Sequence, residues 1–310
     1  MKIVFMGTSV FAVPSLEKLI DNNFTVVGVV TQPDRPQGRG KKVMPTPIKI
    51  IAEQNNLPVY QPQKVKDNST INQIINWDPD LIIVVSYGQI IPKEILEYPR
   101  YGCINVHASM LPEYRGAAPI RRAIMEGKKM SGITTMFMDE GLDTGDIIMQ
   151  MPVPIDSSIN HGDLESILAA TGAELLIDTI RAIQSGSMPR RKQDNSKATY
   201  AAMITNEEEK IDWTQTAPHI HDKVRALGPQ PGAFTYINGT KVKIFGTSIV
   251  NELQKGVTGL ILEVSKEGFA VQTGAGVLLV TQVQREGKRK MTAREFLQGF
   301  ALKAGTLLDS

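Results

Sequence analysis

One cysteine in 310 residues excludes an internal disulfide and the small secreted scaffolds that depend on several. Cys103 alone cannot build a cysteine zinc site, and the four histidines, at 107, 161, 219 and 221, lack the spacing of a helical zinc motif. No metal is therefore expected. No apolar run approaches the roughly 18 residues of a membrane span, and residues 1–7 reach Gly7 without the apolar core and cleavage site of a secretory leader. A reducing cytoplasm and no membrane partner follow as expectations. Charge of one sign is also missing: Lys+Arg 34 against Asp+Glu 32 leaves +2, so a nucleic-acid site would have to be local. The first β-branched run ends in Gly7-Thr8-Ser9-Val10-Phe11-Ala12, not the Gly-x-Gly-x-x-Gly that lets a backbone approach pyrophosphate, which argues against a dinucleotide. Thr8 or Ser9 is read there as a helix cap. No heptads or large apolar stripe call for a partner subunit, so a monomer is expected.

What is present is a 42% hydrophobic chain, enough for one large domain or two ordinary ones. Short β-branched runs at residues 3–6, 26–31, 81–85 and 102–107 alternate with helical patterns at 12–22, 46–54 and 69–76. That is the βαβ signature of a parallel sheet covered by helices. Short strand-like segments follow between 133 and 155, then a helical period over 163–183. Turn formers and charge without periodicity over 185–200 read as a linker. Beyond a helix at 218–227, short strands are punctuated by Gly, with Asn238-Gly239 between two alternating runs as a strong hairpin signal. About five such strands suit a small OB-like β-barrel.

Three constellations could carry chemistry. Asn105 and His107 lie two apart, so in a strand both project from one face, at the carboxyl end where open α/β sheets bind ligands. The same pattern admits a structural reading, with Asn105 capping the next loop and His107 bonded to backbone. Residues 139–146 form an acidic, Gly-punctuated loop whose plain reading is a turn; alternatively Asp143 orients His107 and favours its imidazolium. Between residues 33 and 49, five basic residues (35, 39, 41, 42 and 49) face the single acid Asp34. A long basic loop is either solvated or suited to phosphate. Residues 241–303 carry ten basic residues against five acids, so the small barrel could share a polyanion with that loop.

The run from Asn105 through His107, Ser109, Met110, Leu111, Pro112, Tyr114 and Arg115 to Gly116, followed by Asp139 to Asp146, closely resembles the folate-dependent formyltransferases. Asn-x-His, Ser-x-Leu-Pro and Gly-x-Asp-Thr-Gly together are a specific combination. Gln32 to Pro36, Gly38 to Lys42, Ile211-Asp212-Trp213, Arg225-Ala226-Leu227 and Pro231-Gly232 extend the likeness over nearly the whole chain, toward the branch that acts on initiator methionyl-tRNA. The resemblance implies an α/β fold with a doubly wound, mostly parallel, Rossmann-like sheet of formyltransferase type, and a C-terminal OB-like β-barrel domain. The boundaries are placed at 1–188 for the catalytic domain, 189–205 for the linker and 206–310 for the C-terminal domain.

It further implies 10-formyltetrahydrofolate as formyl donor, initiator methionyl-tRNA as acceptor, and Asn105, His107 and Asp143 as the catalytic trio. Ser109, Met110, Leu111 and Pro112 would line the folate site. Met110 departs from the family's Leu, but its side chain has similar volume and polarity. Arg39, Lys41 and Lys42 are assigned to the acceptor end of the tRNA, with Arg39 foremost. A glycinamide ribonucleotide formyltransferase would need only the first domain. A sugar-nucleotide formyltransferase shares that domain, often beside a dehydrogenase domain whose fingerprint is absent here. A catalytically silent RNA-binding relative is opposed by the intact trio.

Overall fold

The computed structural model describes residues 1–37 and 42–309, without the side chain of Gln37. Two compact units emerge: Met1–Gly116, Ser131–Pro154 and Glu165–Ala201 form one, and Ala117–Met130, Ile155–Leu164 and Ala202–Ser310 the other. Two excursions that sequence order places with the N-terminal half thus cluster with the C-terminal unit.

The chain begins with β1 (Lys2–Gly7), α1 (Val13–Asp21), β2 (Thr25–Val30), β3 (Arg35–Gln37), β4 (Lys42–Met44), α2 (Pro47–Gln54), β5 (Val59–Tyr60) and α3 (Asn68–Asn76). Next come β6 (Leu81–Val85), α4 (Lys93–Leu96), β7 (Cys103–His107), α5 (Pro119–Met125), β8 (Met130–Phe137), β9 (Ile147–Pro154) and α6 (His161–Gln184). The larger sheet has the order β5-β2-β1-β6-β7-β8-β9; its first five strands are parallel, and β8 runs antiparallel to β7. Every residue of β6 is buried, as expected of a strand covered on both faces. Strand order reverses between β1 and β6, which makes their carboxyl ends a switch point where such sheets take ligands. There the structure corrects the expected cap. Ser9 makes no side-chain cap bond; its Oγ donates to Ser86 Oγ at 2.8 Å, and Thr8 Oγ1 donates to Tyr87 O at 2.9 Å. Both hydroxyls tie the loop after β1 to the loop after β6.

The basic segment is less irregular than expected. β3 and β4 pair as an antiparallel hairpin, and its foot is latched by Lys49 Nζ on Asp34 Oδ2 at 2.7 Å and Gln61 Nε2 on Asp34 Oδ1 at 2.6 Å. This pairing raises the Lys49 ammonium and lowers the Asp34 carboxyl from their usual values. Thr46 caps α2 through Lys49 N, with Pro47 opening the helix. Among the described residues no helix is long and apolar enough to cross a membrane.

In the second unit, α7 (Ala217–Leu227) precedes β10 (Ala233–Ile237), β11 (Thr240–Asn251), β12 (Ile261–Val264), β13 (Phe269–Gln272), β14 (Val277–Arg285), β15 (Met291–Thr292) and α8 (Ala293–Gly299). Asn238 at φ 48° and Gly239 at φ 74° make the tight hairpin that the dipeptide signalled. The antiparallel order is β10-β11-β14-β13-β12, with β15 beside β14. Its two edges are bridged by the C-terminal tail: Leu307 pairs with Leu260 and Asp309 with Tyr236, while Thr306 O accepts from Ile261 N. Closure removes both open edges. The fully buried Trp213 anchors the core, its Nε1 donating to Thr235 Oγ1 at 3.1 Å.

Candidate active site

The parallel strand β7 carries the two polar residues singled out above to the carboxyl edge of the sheet. Register sets Asn105 opposite Met136 and His107 opposite Thr134 of β8. Their side chains meet at one carboxylate. Asn105 Nδ2 lies 3.4 Å from Asp143 Oδ1, and His107 Nδ1 lies 3.6 Å from Asp143 Oδ2. Gly116 N donates to the same Oδ2 at 2.8 Å. His107 is buried, with Nε2 at 3.0 Å from Tyr114 O. A carbonyl only accepts, so Nε2 carries a hydrogen. Nδ1 is the ring nitrogen that faces Asp143.

Asp143 adopts φ 53°, in the left-handed region that side chains rarely occupy. Such a conformation costs on the order of 1 kcal/mol and persists where surrounding bonds overdetermine it. Two residues on, a Cβ at Gly145 would collide with Phe137 O, so the turn packs tightly against β8. Asp139 Oδ1 closes the other end of the turn by accepting from Gly141 N at 3.0 Å and Thr144 Oγ1 at 2.6 Å. The acidic loop is thus a turn that also carries the Asp143 carboxylate to Asn105 and His107.

The segment after β7 is fixed from within. Ser109 Oγ donates to Glu113 O at 2.6 Å, Thr134 Oγ1 donates to Ser109 O at 2.7 Å, and Leu111 N donates to Thr134 Oγ1 at 3.1 Å. Gln150 Nε2 adds a bond to Leu111 O at 2.9 Å. Ser109 and Leu111 are consequently buried, whereas Met110 and Pro112 keep part of their surface. Met110 packs over Gly132, where any Cβ would collide with its Sδ.

The stretch read as a linker carries bonds that pattern could not disclose. Thr199 Oγ1 accepts from Tyr114 N at 2.8 Å, Thr199 O accepts from Arg115 N, and Ala201 N donates to Arg115 O. Gln193 Nε2 donates to Asp143 O and Gly145 O, each at 2.8 Å. Gln193 had no sequence signal, because an isolated Gln in a polar run is ordinary. Of the tRNA-assigned cations, Lys42 is exposed on β4, and Arg39 and Lys41 lie outside the described residues. Lys49, counted with them by charge, is committed to Asp34.

Beside the Asp143 turn opens a cavity of about 410 Å³, lined by Lys93, Leu96, Met138, Glu140 and Gly141 among others. Lys93 reaches Glu140 at 3.2 Å, and that carboxylate raises its ammonium above the usual value. Tyr87, in the loop after β6, is buried, and burial pushes its hydroxyl up to about 12, so it stays neutral.

Comparison with known proteins gives the family. The family model described as formyl transferase matches residues 1–180, and the one described as formyl transferase, C-terminal domain, matches 203–301. The chain is 57% identical to a methionyl-tRNA formyltransferase of Syntrophomonas wolfei over 100% of its own length and 99% of the relative's. It is 46% identical to the protein of that name from Clostridioides difficile, over 99% and 100%. Among solved structures, the N-formyltransferase of Helicobacter canadensis in complex with folinic acid and dTDP-3-aminofucose is 24% identical with a TM-score of 0.67, over 92% of this chain and 99% of that one. The last likeness is one of fold.

Proposed function

The chain belongs to the formyl transferase family, and from that premise we propose that it moves the formyl group of 10-formyltetrahydrofolate onto the free amino group of methionine on initiator methionyl-tRNA. The observation that carries the reading is the meeting of Asn105 and His107 on Asp143 at the carboxyl edge of the sheet. Match to the tRNA-acting relatives over the whole chain, C-terminal module included, separates this reading from a single-domain glycinamide ribonucleotide enzyme.

Attack of an amine on a formyl carbon joins nitrogen to carbon, puts negative charge on the formyl oxygen, and leaves a proton to be removed before the carbon–nitrogen bond to the donor breaks. The folate supplies the formyl carbon. Asn105 Nδ2 has a second hydrogen beyond the one directed at Asp143, and that hydrogen can donate to the charged oxygen. His107 in its imidazolium form donates from Nδ1 and passes a proton toward the departing nitrogen. Asp143 holds both donors and takes the proton of the attacking amine. Preorganised donors of this kind need no rearrangement as charge develops.

The cavity beside the turn lies within the range that holds small organic ligands, and the exposed Ile90 and Leu142 offer apolar surface on the flanking loops. Met110 and Pro112 face the folate in this reading; Ser109 and Leu111 shape the loop from inside. Arg39, Lys41 and Lys42 take the acceptor-end phosphates, and the cations of the barrel assist. Lys241, over the Phe234 ring, and Lys290, over the Phe245 ring, are among these cations. The enzyme acts in the cytoplasm as a monomer.

The test follows formyl transfer to three acceptors: methionyl initiator tRNA, glycinamide ribonucleotide and a sugar-nucleotide amine. Turnover on the charged tRNA alone is the expected result; turnover only on a small acceptor overturns the tRNA assignment. In His107→Ala or Asn105→Ala, kcat should fall by about 10² to 10³, the usual cost of one oxyanion donor, in a protein that still binds folate.

A further inference from the structure

A buried cation without a carboxylate stands behind the site. Arg115 is 2% exposed, yet its guanidinium meets neutral oxygens: Nε and Nη2 donate to Gln193 Oε1 at 3.1 and 2.8 Å, and Nη2 to Asn195 Oδ1 at 2.8 Å. Among the described residues no carboxylate lies within ion-pair distance of it. Burying a guanidinium is costly unless its hydrogens are accepted, so the Gln193 carbonyl oxygen is held firmly toward Arg115.

An amide that turns its oxygen one way must turn its NH₂ the other. Both hydrogens of Gln193 Nε2 go to the carbonyls of Asp143 and Gly145, which flank Thr144 in the turn where Asp143 takes φ 53°. The segment 115–116 therefore grips Asp143 twice. Gly116 N holds its carboxylate directly, and Arg115 holds its backbone through Gln193. Attachment of residues 199–201 to this loop does not need Gln193, because Thr199 O and Ala201 N already bond to Arg115.

The geometry points to Gln193 as a positioning residue: oriented by Arg115, it keeps Asp143 in its left-handed conformation and so aims the carboxylate at Asn105 and His107. This inference rests on the catalytic assignment proposed above.

Gln193→Glu tests it. The variant keeps oxygens for Arg115 but has no donor for the two carbonyls, so the turn is released while the cation stays partnered. The expected result is a loss of kcat of about 10²-fold, the scale of a small misplacement of a reacting group. KM for 10-formyltetrahydrofolate and for methionyl initiator tRNA stays unchanged, the melting temperature is retained, and the ring ¹⁵N signals of His107 shift as Asp143 moves away. Gln193→Ala removes the same donors without placing a carboxylate before the carbonyls and should reproduce the kcat loss and the His107 shift. Wild-type kcat in both variants, or unmoved His107 signals, overturns the positioning role. His107→Ala distinguishes the two levels: if it loses turnover while the Gln193 variants do not, only the positioning inference fails, whereas wild-type turnover in His107→Ala overturns the site on which it rests.

Discussion

The two sheets of this chain obey different rules of burial. In the larger sheet β6 is buried at every position and β1 at all but its first, because parallel strands carry helices on both faces. In the smaller sheet β11 and β14 mix buried and accessible positions along their length, as antiparallel strands with one face toward a core do. The difference decides how visible function is. A polar residue inside a continuously apolar strand needs a reason, and Asn105 and His107 have one in Asp143. A polar residue at an outward position of β11 needs none, so its polarity alone carries no functional signal.

The contrast can be pressed first through the two tryptophans, Trp77 in the first unit and Trp213 in the second. Trp213→Ala should cost about 3 to 5 kcal/mol, the usual loss for emptying a fully buried aromatic site, and leave Thr235 Oγ1 with only its bond to Asp309 O. Denaturant unfolding of this variant followed by Trp77 fluorescence should keep the wild-type transition of the first unit. A matching drop for both units would mean that they unfold as one.

Acid gives the next effect. His161, at the start of α6, is held down to about 4 from 6.5, first by burial and then by the charge of Arg121, and burial lowers His221 as well. Above pH 6.5 His161 is neutral both folded and unfolded. Below it the unfolded chain binds a proton that the folded chain refuses until about pH 4, so stability is lost as pH falls through that window. The loss from His161 is on the order of 3 kcal/mol. Trp213 fluorescence in a Trp77→Phe background should report a pH-dependent midpoint between pH 6.5 and 4, and His161→Gln should shrink that dependence to the part left by His221. The smallest effect is expected at Ser248, exposed on β11. Ser248→Val should change stability by no more than about 0.5 kcal/mol, whereas a comparable change of polarity inside β6 would not be tolerated; a large loss at Ser248 would show that this face is covered.

The sequence by itself determined the βαβ alternation, the Asn238-Gly239 hairpin and the polar pair on β7, because each is written in short-range period or turn chemistry. It also carried the family likeness, through short motifs of fixed spacing. The latch of Asp34, Lys49 and Gln61, the closure of the barrel edges by residues 306–309, and the bonding of residues 191–201 to the site loop were decided only in three dimensions. Across these contacts the partners lie from 15 to 85 or more residues apart. Gln193 shows the reason most plainly: fifty residues separate it from Asp143. Its meaning comes from a buried guanidinium that fixes which way its amide points, a condition that exists only once Arg115 has been taken out of water.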